Sequence, residues 1–427
     1  MKSCAFNLKL VAWNGSEKPF WVTWMNKSSH VVILAGGQGL RLWPWSRKGR
    51  YKPFLPILGD KSLLQSTLQR ALGLVPPDRI HIVATADVKC DVGPFHWILE
   101  PEARDTAPAI YHATRQIQNS DEEATILVLP ADHMVFDTDP FRRGMRKTID
   151  AVIENPERFW LHGTHSPLDR SFGFIIPKDQ QEVAGVTRFE EKPDLQLAVS
   201  LQREGALRNT GIFCFRATFL IEQFKRIIED SKSTSTLETE QVPAISIDHF
   251  LIKRNDFVDR LLVRQMDYRW SDLGTWSSLR KVFKSDTYGN VMINDLDPEE
   301  DVDRIQPGEP MLIRSDRIQI DGDGSRQVIC VGVNQANISV TQNHIKIAAG
   351  DSSTNCDGLV DCADLLVFRQ GDIQMSIHGV RGGLVAITQD VVLVASEDEI
   401  SSEGIREVLG TLSSRSEGGT RGRLGRG

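Results

Sequence analysis

Apolar runs of strand length alternate with segments of helical period along most of this chain. Val31-Val32-Ile33-Leu34, Ile80 to Ala84 and Ala124 to Leu129 are apolar or β-branched throughout, as buried strands require. Between and after them, Ser62 to Leu72, Ala107 to Gln118 and Phe141 to Glu154 carry apolar residues at helical spacing, the first opened by a capping serine. This alternation predicts an α/β fold, a doubly wound and mainly parallel sheet covered by helices. Ligands of such sheets bind beyond the carboxyl ends of the strands, so chemistry is expected in the loops that follow these runs.

From about Gly289 the pattern changes to short β-rich runs separated by Gly, Asp and Asn turns. An internal repeat lies here: residues 332 to 351 align with 379 to 398, with Gly332/Gly379, Val333/Val380, Thr341/Thr388, Gln342/Gln389, Ala348/Ala395 and Asp351/Asp398 identical. Two copies of a hairpin-like unit predict a small β-domain such as a short β-helix. Ile338 and Val340 in one copy, and Leu384 and Ala386 in the other, are expected to bury one another. Residues 352–362 read as a polar loop and Glu403 to Leu412 as a short helix. The expected organisation is an extension over 1–28, a catalytic domain over 29–288, a β-rich domain over 289–412 and a Ser/Gly/Arg-rich disordered tail over 413–427. Trp13, Trp21 and Trp24 follow no helical or strand period, and Met25 stands just ahead of the first strand. Residues 1–24 therefore read as a mis-called start or a disordered extension.

Composition narrows the class. The 427 residues suffice for two or three domains, and 40% hydrophobic with 25% charged residues is ordinary for a globular protein. A net charge of −7 argues against a nucleic-acid partner. No stretch approaches the roughly 18 uncharged apolar residues of a membrane helix. The six cysteines are scattered, without a CxxC pair, which suggests a reducing cytoplasm rather than a disulfide framework or zinc site.

The densest signal is residues 32 to 55, VILAGGQGLRLWPWSRKGRYKPFL. A strand feeds a turn with glycine at 36, 37 and 39, followed by Arg41, Arg47 and Lys52. Glycines let backbone N–H groups approach phosphate oxygens, and the cations behind them can neutralise a polyphosphate. No Gly-Lys-Ser/Thr closes the turn, so it is not a Walker A loop. Leu42 stands where a dinucleotide fingerprint needs glycine. Asp132, in Leu129-Pro130-Ala131-Asp132-His133, lies just past a buried strand and is well placed for Mg²⁺ on nucleotide phosphates. Asp105 and Thr106 are candidate caps for the following helix.

These motifs resemble those of the sugar-nucleotide pyrophosphorylases, and of the bacterial mannose-1-phosphate guanylyltransferases in particular. Leu34 to Arg47 and Lys52 to Leu55 are similar to L-A-G-G-x-G-T-R-L-W-P-L-S-R and P-K-x-F-L, departing at Leu40, Trp45 and Tyr51. Glu100 to Ile110 resembles E-P-x-G-R-N-T-A-P-A-I, with Ala103 for Gly and Asp105 for Asn. Leu129 to His133 matches L-P-A-D-H. Trp270 to Trp276 resembles W-S-D-x-G-x-W, and Phe189 to Pro193 matches F-x-E-K-P. Asn209 to Phe213 resembles the end of W-N-S-G-I-F, with Arg208 in place of Trp. Arg170 to Ile175 stands where T-G-Y-G-Y-I is usual, keeping Gly173. Departures cluster in the sugar half of the pocket, and the phosphate half is intact.

The resemblance spans roughly Val31 to Leu412 and implies a Rossmann-like nucleotidyltransferase with a β-helix-like C-terminal domain. It implies transfer of a guanylyl group from GTP to mannose 1-phosphate. Arg41 and Lys52 would hold the triphosphate, with Leu34, Ala35, Gly36, Gly37, Gly39, Glu100, Pro101, Thr106 and Asp132 around the nucleotide. Gly173, Glu191, Lys192 and Asn209 would hold the sugar phosphate. Asp132 and Asp272 would share Mg²⁺. GTP and a sugar 1-phosphate are the expected partners, with no nucleic acid and no membrane, and a homodimer is a compatible assembly. Two rivals stand beside this reading: the same reaction on another sugar, such as a heptose 1-phosphate, and a catalytically silent regulatory homologue. A glycosyltransferase would need an Asp-x-Asp metal motif, and Asp137-Thr138-Asp139, Asp295-Leu296-Asp297, Asp301-Val302-Asp303 and Asp321-Gly322-Asp323 fit that string.

Overall fold

The structure, a computed structural model, describes residues 28–37, 39–57, 59, 61–86, 94–165, 170–229, 241–295, 304–349, 358–399 and 405–413. The extension over 1–24, most of the 352–362 loop and the tail after 413 lie outside the described residues. The chain divides into two compact units, one of residues 1–37 and 61–272, the other of residues 38–60 and 273–427.

The first unit is built on β1 (Ser29–Leu34), α1 (Leu63–Ala71), β2 (Ile80–Thr85), β3 (His96–Glu100), α2 (Thr106–Gln118), β4 (Thr125–Pro130), β5 (Met134–Val135) and α3 (Thr138–Glu154). These are followed by β6 (Phe159–Thr164), β7 (Gly173–Pro177), β8 (Val183–Glu191), α4 (Leu195–Arg203), β9 (Leu207–Arg216), α5 (Ala217–Glu229), β10 (Leu261–Gln265) and β11 (Trp270–Ser271). Ser62 caps α1 through a capping box, its hydroxyl accepting from the Gln65 N–H and its own N–H donating to the Gln65 side chain.

Among the described residues the main sheet has the order β3-β2-β1-β4-β9-β6-β10-β8-β7. It is parallel across β3, β2, β1 and β4. Beyond β4 it is mixed, because β9 runs antiparallel to both β4 and β6, and β8 antiparallel to β10 and β7. Phe213 and Phe215 of β9 enter the core that α2 and α5 cover. Cys214, between them, is equally buried on the opposite face, where α3 lies against β9. Both faces of the strand are therefore apolar, as the sequence pattern requires. The order reverses at β1, with β2 on one side and β4 on the other, which places the ligand crevice beyond Leu34 and Pro130.

The second unit holds α6 (Trp276–Arg280), β12 (Val291–Asp295), β13 (Met311–Ile313), β14 (Asp316–Gly322), β15 (Gln327–Val331), β16 (Asn334–Val340) and β17 (His344–Ala349). It continues through β18 (Gly358–Val360), β19 (Leu366–Gln370), β20 (Gln374–His378), β21 (Leu384–Ile387) and β22 (Val391–Ala395), and residues 405–413 are helical. Two sheets form, β12-β19-β21-β22-β15-β13 and β14-β16-β17-β20-β18, and most neighbours pair in parallel as in a β-helix. The repeat is a pair of antiparallel hairpins, β16–β17 and β21–β22, one in each sheet. The expected facing residues are corrected by one position. Ile338 and Val340 share a core with Val385 and Ile387, not with Leu384 and Ala386. With a period of two, a one-residue shift turns a side chain to the other face.

Candidate active site

The crevice is assembled from strand ends. The Ala35 N–H donates to Val83 O at 2.8 Å and the Ala131 N–H to Leu34 O at 3.0 Å, so the loops after β1 and β4 stay tied where the strands stop. Gly36 and Gly37 follow, half-buried and exposed. Glu100 ends β3 with Oε2 3.7 Å from where a Cβ on Gly36 would stand, so the structure brings these two candidates together. Burial raises the Glu100 carboxyl to about 7, opposed by the charge of Arg104. Pro101 is exposed beside it. Of the two cap candidates, Asp105 caps α2, its carboxylate accepting the Thr106 N–H at 2.7 Å. The Thr106 hydroxyl instead accepts the N–H of Ile247 at 2.9 Å.

The remaining phosphate candidates belong to the second unit. Gly39 has φ 67, and a Cβ there would overlap the Cβ of Lys52, so conformation and space both demand glycine. Its carbonyl accepts the Ser46 hydroxyl at 2.5 Å. Lys52 is buried at the start of a single 3₁₀ turn, and Arg41 is half-buried in another. Arg47 corrects the sequence reading. Its Nη1 donates to both Asp390 oxygens at 3.0 and 2.7 Å, and its Nη2 to Thr388 Oγ1 at 3.2 Å. It is 5% exposed and pins the loop to the β21–β22 turn, so it does not serve an anion. Trp45 is likewise a core residue, stacked on Trp276 with its N–H on Asp295.

The two metal candidates lie on loops joined by a ribbon. β5 and β11 pair antiparallel with Trp270 opposite Val135 and Ser271 opposite Met134. One step further on that register Asp272 comes opposite His133, next to Asp132. The Trp270 indole donates to His133 Nδ1 at 3.2 Å, and Arg70 donates to His133 O at 3.0 Å, which fixes this loop. The Asp132 side chain is 30% exposed. No cluster of three or more acidic, His or Cys ligands occurs among the described residues. The donor set of two carboxylates fits a hard cation that completes its shell with phosphate oxygens and water. Of the Asp-x-Asp strings, Asp137 accepts the backbone and guanidinium N–H groups of Arg269 and Asp295 serves Trp45 and Arg50, while Asp301-Val302-Asp303 lies outside the described residues.

The sugar candidates also converge. Glu191 pairs with Gly173 across β8 and β7, and a Cβ at Gly173 would overlap the Phe189 ring and stand 2.7 Å from Glu191 Oε2. Lys192 is exposed, 3.1 Å from Glu191. Asn209 donates to Asp248 Oδ1 at 2.8 Å. Asp248 is the residue that sequence reasoning missed. Desolvation and the charge of Glu191 push its carboxyl up to about 7, so it forms a coupled group with Glu191 and Asn209. Ser246-Ile247-Asp248 before Phe250-Leu251-Ile252 reads only as a helix start, and no local signal marks its chemistry.

Backbone strain occurs in the same motifs at three positions, and elsewhere among the described residues at Arg314, Arg317, Gln335, Asp361 and Asp364. Asp105, Lys192 and Leu273 have φ 73, 46 and 46, each inside one of the quoted strings. Non-glycine residues in this region cost about 1–3 kcal/mol each and gather at functional sites.

Comparison with known proteins identifies the family. The nucleotidyl transferase family model matches residues 30–288. The alginate biosynthesis protein AlgA of Pseudomonas putida is 32% identical over 295 residues, covering 62% of this chain and 60% of that protein. A mannose-1-phosphate guanylyltransferase of Sinorhizobium fredii is 30% identical over 295 residues, covering 61% of this chain and 56% of that protein. The chain thus spans somewhat under two thirds of the length of these curated relatives. A crystal structure of a mannose-1-phosphate geranyltransferase from Thermus thermophilus superposes with a TM-score of 0.66 at 25% identity, covering 90% of this chain and 99% of that one. Members of the family generally act with a divalent metal. With the family model matching residues 30–288, more than half of its length, the chain belongs to the nucleotidyl transferase family.

Proposed function

We propose that the chain transfers a guanylyl group from GTP to mannose 1-phosphate, releasing pyrophosphate and forming GDP-mannose. The observation that supports this is the β5–β11 ribbon, which pairs Trp270 and Ser271, just before Asp272, with Val135 and Met134, just after the Asp132-His133 turn. The names of the relatives suggest the sugar and the base. A phosphate oxygen of the sugar phosphate attacks the α-phosphorus and the bond to the β-phosphate bridging oxygen breaks. Pyrophosphate leaves with that electron pair. The nucleophile is already an anion, so no general base is required, and catalysis consists of positioning and charge stabilisation. Mg²⁺ held by Asp132 and Asp272 would supply positive charge at the α-phosphate. The backbone N–H groups of Gly36 and Gly37 bind the triphosphate, and Arg41 and Lys52 keep the phosphate role that the resemblance implies for them. Glu100 accepts from the donor edge of guanine. Lys192 meets the sugar phosphate, while Glu191, Asn209 and Asp248 bind sugar hydroxyls.

The reaction suits a reducing cytoplasm, in keeping with the free thiols of Cys214, Cys330 and Cys362. Among the described residues no helix is long and apolar enough to cross a membrane. Pyrophosphate release from GTP or ATP with a panel of sugar 1-phosphates, including mannose and heptose 1-phosphates, tests the reading. The highest kcat/KM is expected for GTP with mannose 1-phosphate. A clear preference for heptose 1-phosphate, or no release with any pair, would overturn it.

A further inference from the structure

We propose that Arg208 binds the phosphate of the incoming sugar 1-phosphate as a second cation beside Lys192, an inference that rests on the transfer reaction above. Arg208 stands on β9 just before Asn209, where the resembling pattern has tryptophan. Its guanidinium carbon lies 4.4 Å from the centroid of the Phe172 ring and 4.8 Å from that of Trp270. The two rings themselves meet edge to face at 5.7 Å. Phe172 is also a departure from the pattern, which has tyrosine there. The changes at 172 and 208 are therefore in contact and read as one change.

What makes the placement informative is where the two rings are anchored. The Phe172 carbonyl accepts the backbone N–H of Lys192 at 3.2 Å, so this ring moves with the residue assigned to the sugar phosphate. Trp270 lies on the ribbon with Asp272, its indole N–H on His133. A cation gripped by both rings sits where the sugar half of the pocket meets the metal half. The reacting phosphate has to lie at that junction too. Its sugar reaches Glu191 and Asn209 while its oxygen approaches a phosphorus held near Asp132 and Asp272. Alternation along β9 turns Arg208 to the face opposite Asn209, so it does not join the hydroxyl contacts. The two rings are inclined at 68° to each other, so they do not sandwich the guanidinium but fix it from two sides, and a phosphate is bound through its N–H groups. Bringing a dianion up to a triphosphate is opposed by charge, and an oriented arginine at the point of approach lowers that opposition.

The test uses the full chain with saturating Mg²⁺ and measures initial rates of pyrophosphate release against mannose 1-phosphate and GTP separately. Arg208→Gln is expected to raise KM for mannose 1-phosphate about tenfold, the weight of a charge-assisted hydrogen bond, and to leave KM for GTP nearly unchanged. Arg208→Lys keeps the charge and is expected to recover most of the loss. Arg208→Trp is expected to fold with an unchanged melting temperature and to show the same raised KM as Arg208→Gln. A brace for Trp270 alone would predict the opposite: normal KM in Arg208→Trp, and in Arg208→Gln a lowered melting temperature with both KM values moving together. That result would overturn the proposal. Should Arg208→Gln fail to fold, the other two decide. An unshifted mannose 1-phosphate KM in Arg208→Trp removes the role. Absence of pyrophosphate release by the unmodified protein with every sugar 1-phosphate would remove the reaction and this role together, whereas turnover with an unshifted KM removes only the role.

Discussion

The first unit contains two pairs of carboxyl groups held in opposite ways. Glu191 and Asp248 are crowded, with the Glu191 side chain 10% exposed and the Asp248 carboxyl pushed up to about 7 by desolvation and by its neighbour's charge. Asp132 and Asp272 stand on loop ends spaced by the backbone register of a two-residue ribbon, and Asp132 keeps 30% of its side chain open. A crowded carboxyl that holds its proton near neutrality can donate as well as accept, which suits hydroxyl groups. A carboxylate that keeps part of its surface open suits a cation. One side-chain chemistry thus serves two purposes, and packing decides which.

The sharpest way to break this comparison is to neutralise one carboxylate in each pair. Asp272→Asn, like Asp132→Asn, should lower kcat for pyrophosphate release by a factor of about 10², as loss of one electrostatic stabiliser does, with KM for GTP changing far less. Asp248→Asn should leave kcat within a few-fold. Near-normal turnover in Asp272→Asn would mean that the ribbon positions something other than a metal ligand.

Asp248→Asn should show itself in binding. An Asn there still offers an oxygen to the Asn209 amide but can no longer take up or release a proton, so KM for mannose 1-phosphate should change by a few-fold at most below pH 7. The pH profile sharpens the point. With a carboxyl raised to about 7, the proton is present below that pH and lost above it. If the protonated form binds the sugar, kcat/KM for mannose 1-phosphate should fall as pH rises through about 7, and Asp248→Asn should remove that limb. Glu100 is also raised to about 7, so the profile against GTP serves as the control, because its limb should persist in Asp248→Asn. Identical profiles for mutant and parent would place the titration elsewhere.

How much of this was legible in the sequence depended on whether the cause was local. β1, β2, β4 and the helices after them follow from runs and periods, and the Ser62 cap from its place at the helix start. Asp132 could be read as a strand-end carboxylate for the same reason. Arg47 could not, because the partner that turns it from an anion ligand into a buried strut is Asp390, 343 positions away. Asp248 went unseen because its carboxyl is raised by burial and then by the charge of Glu191, neither of which its neighbours in sequence record. The facing residues of the repeat were misplaced by one because alternation gives a period of two without saying which phase is inward. The mixed half of the sheet was hidden as well, since nothing in the apolar runs of β9 records strand direction.

The smallest effect comes from a shifted group at the other end of the same strands, where no ligand is expected. His30, His81 and His96 sit side by side near the amino ends of β1, β2 and β3, with ring centroids 5.3 and 5.5 Å apart. His30 bonds His81 at 3.1 Å and Asp121 at 3.2 Å, and Arg79 and Asp78 act on it as well. Burial, then the charges of His30 and His96, hold His81 down to about 3. The unfolded chain takes up this proton near 6.5 while the folded chain refuses it. Stability contributed by the neutral ring is therefore intact well above 6.5 and is lost progressively as pH falls from there toward 3. At pH 6 the loss is about 1 kcal/mol, before any discount for the part of the ring that meets solvent. His81→Gln keeps a polar group of similar reach and should flatten the change in urea midpoint between pH 8 and pH 6, while leaving kcat and both KM values alone. A parallel change in activity would show that burial at the amino ends is coupled to the crevice, and the separation drawn between shifts that serve ligands and shifts that only tax stability would fail.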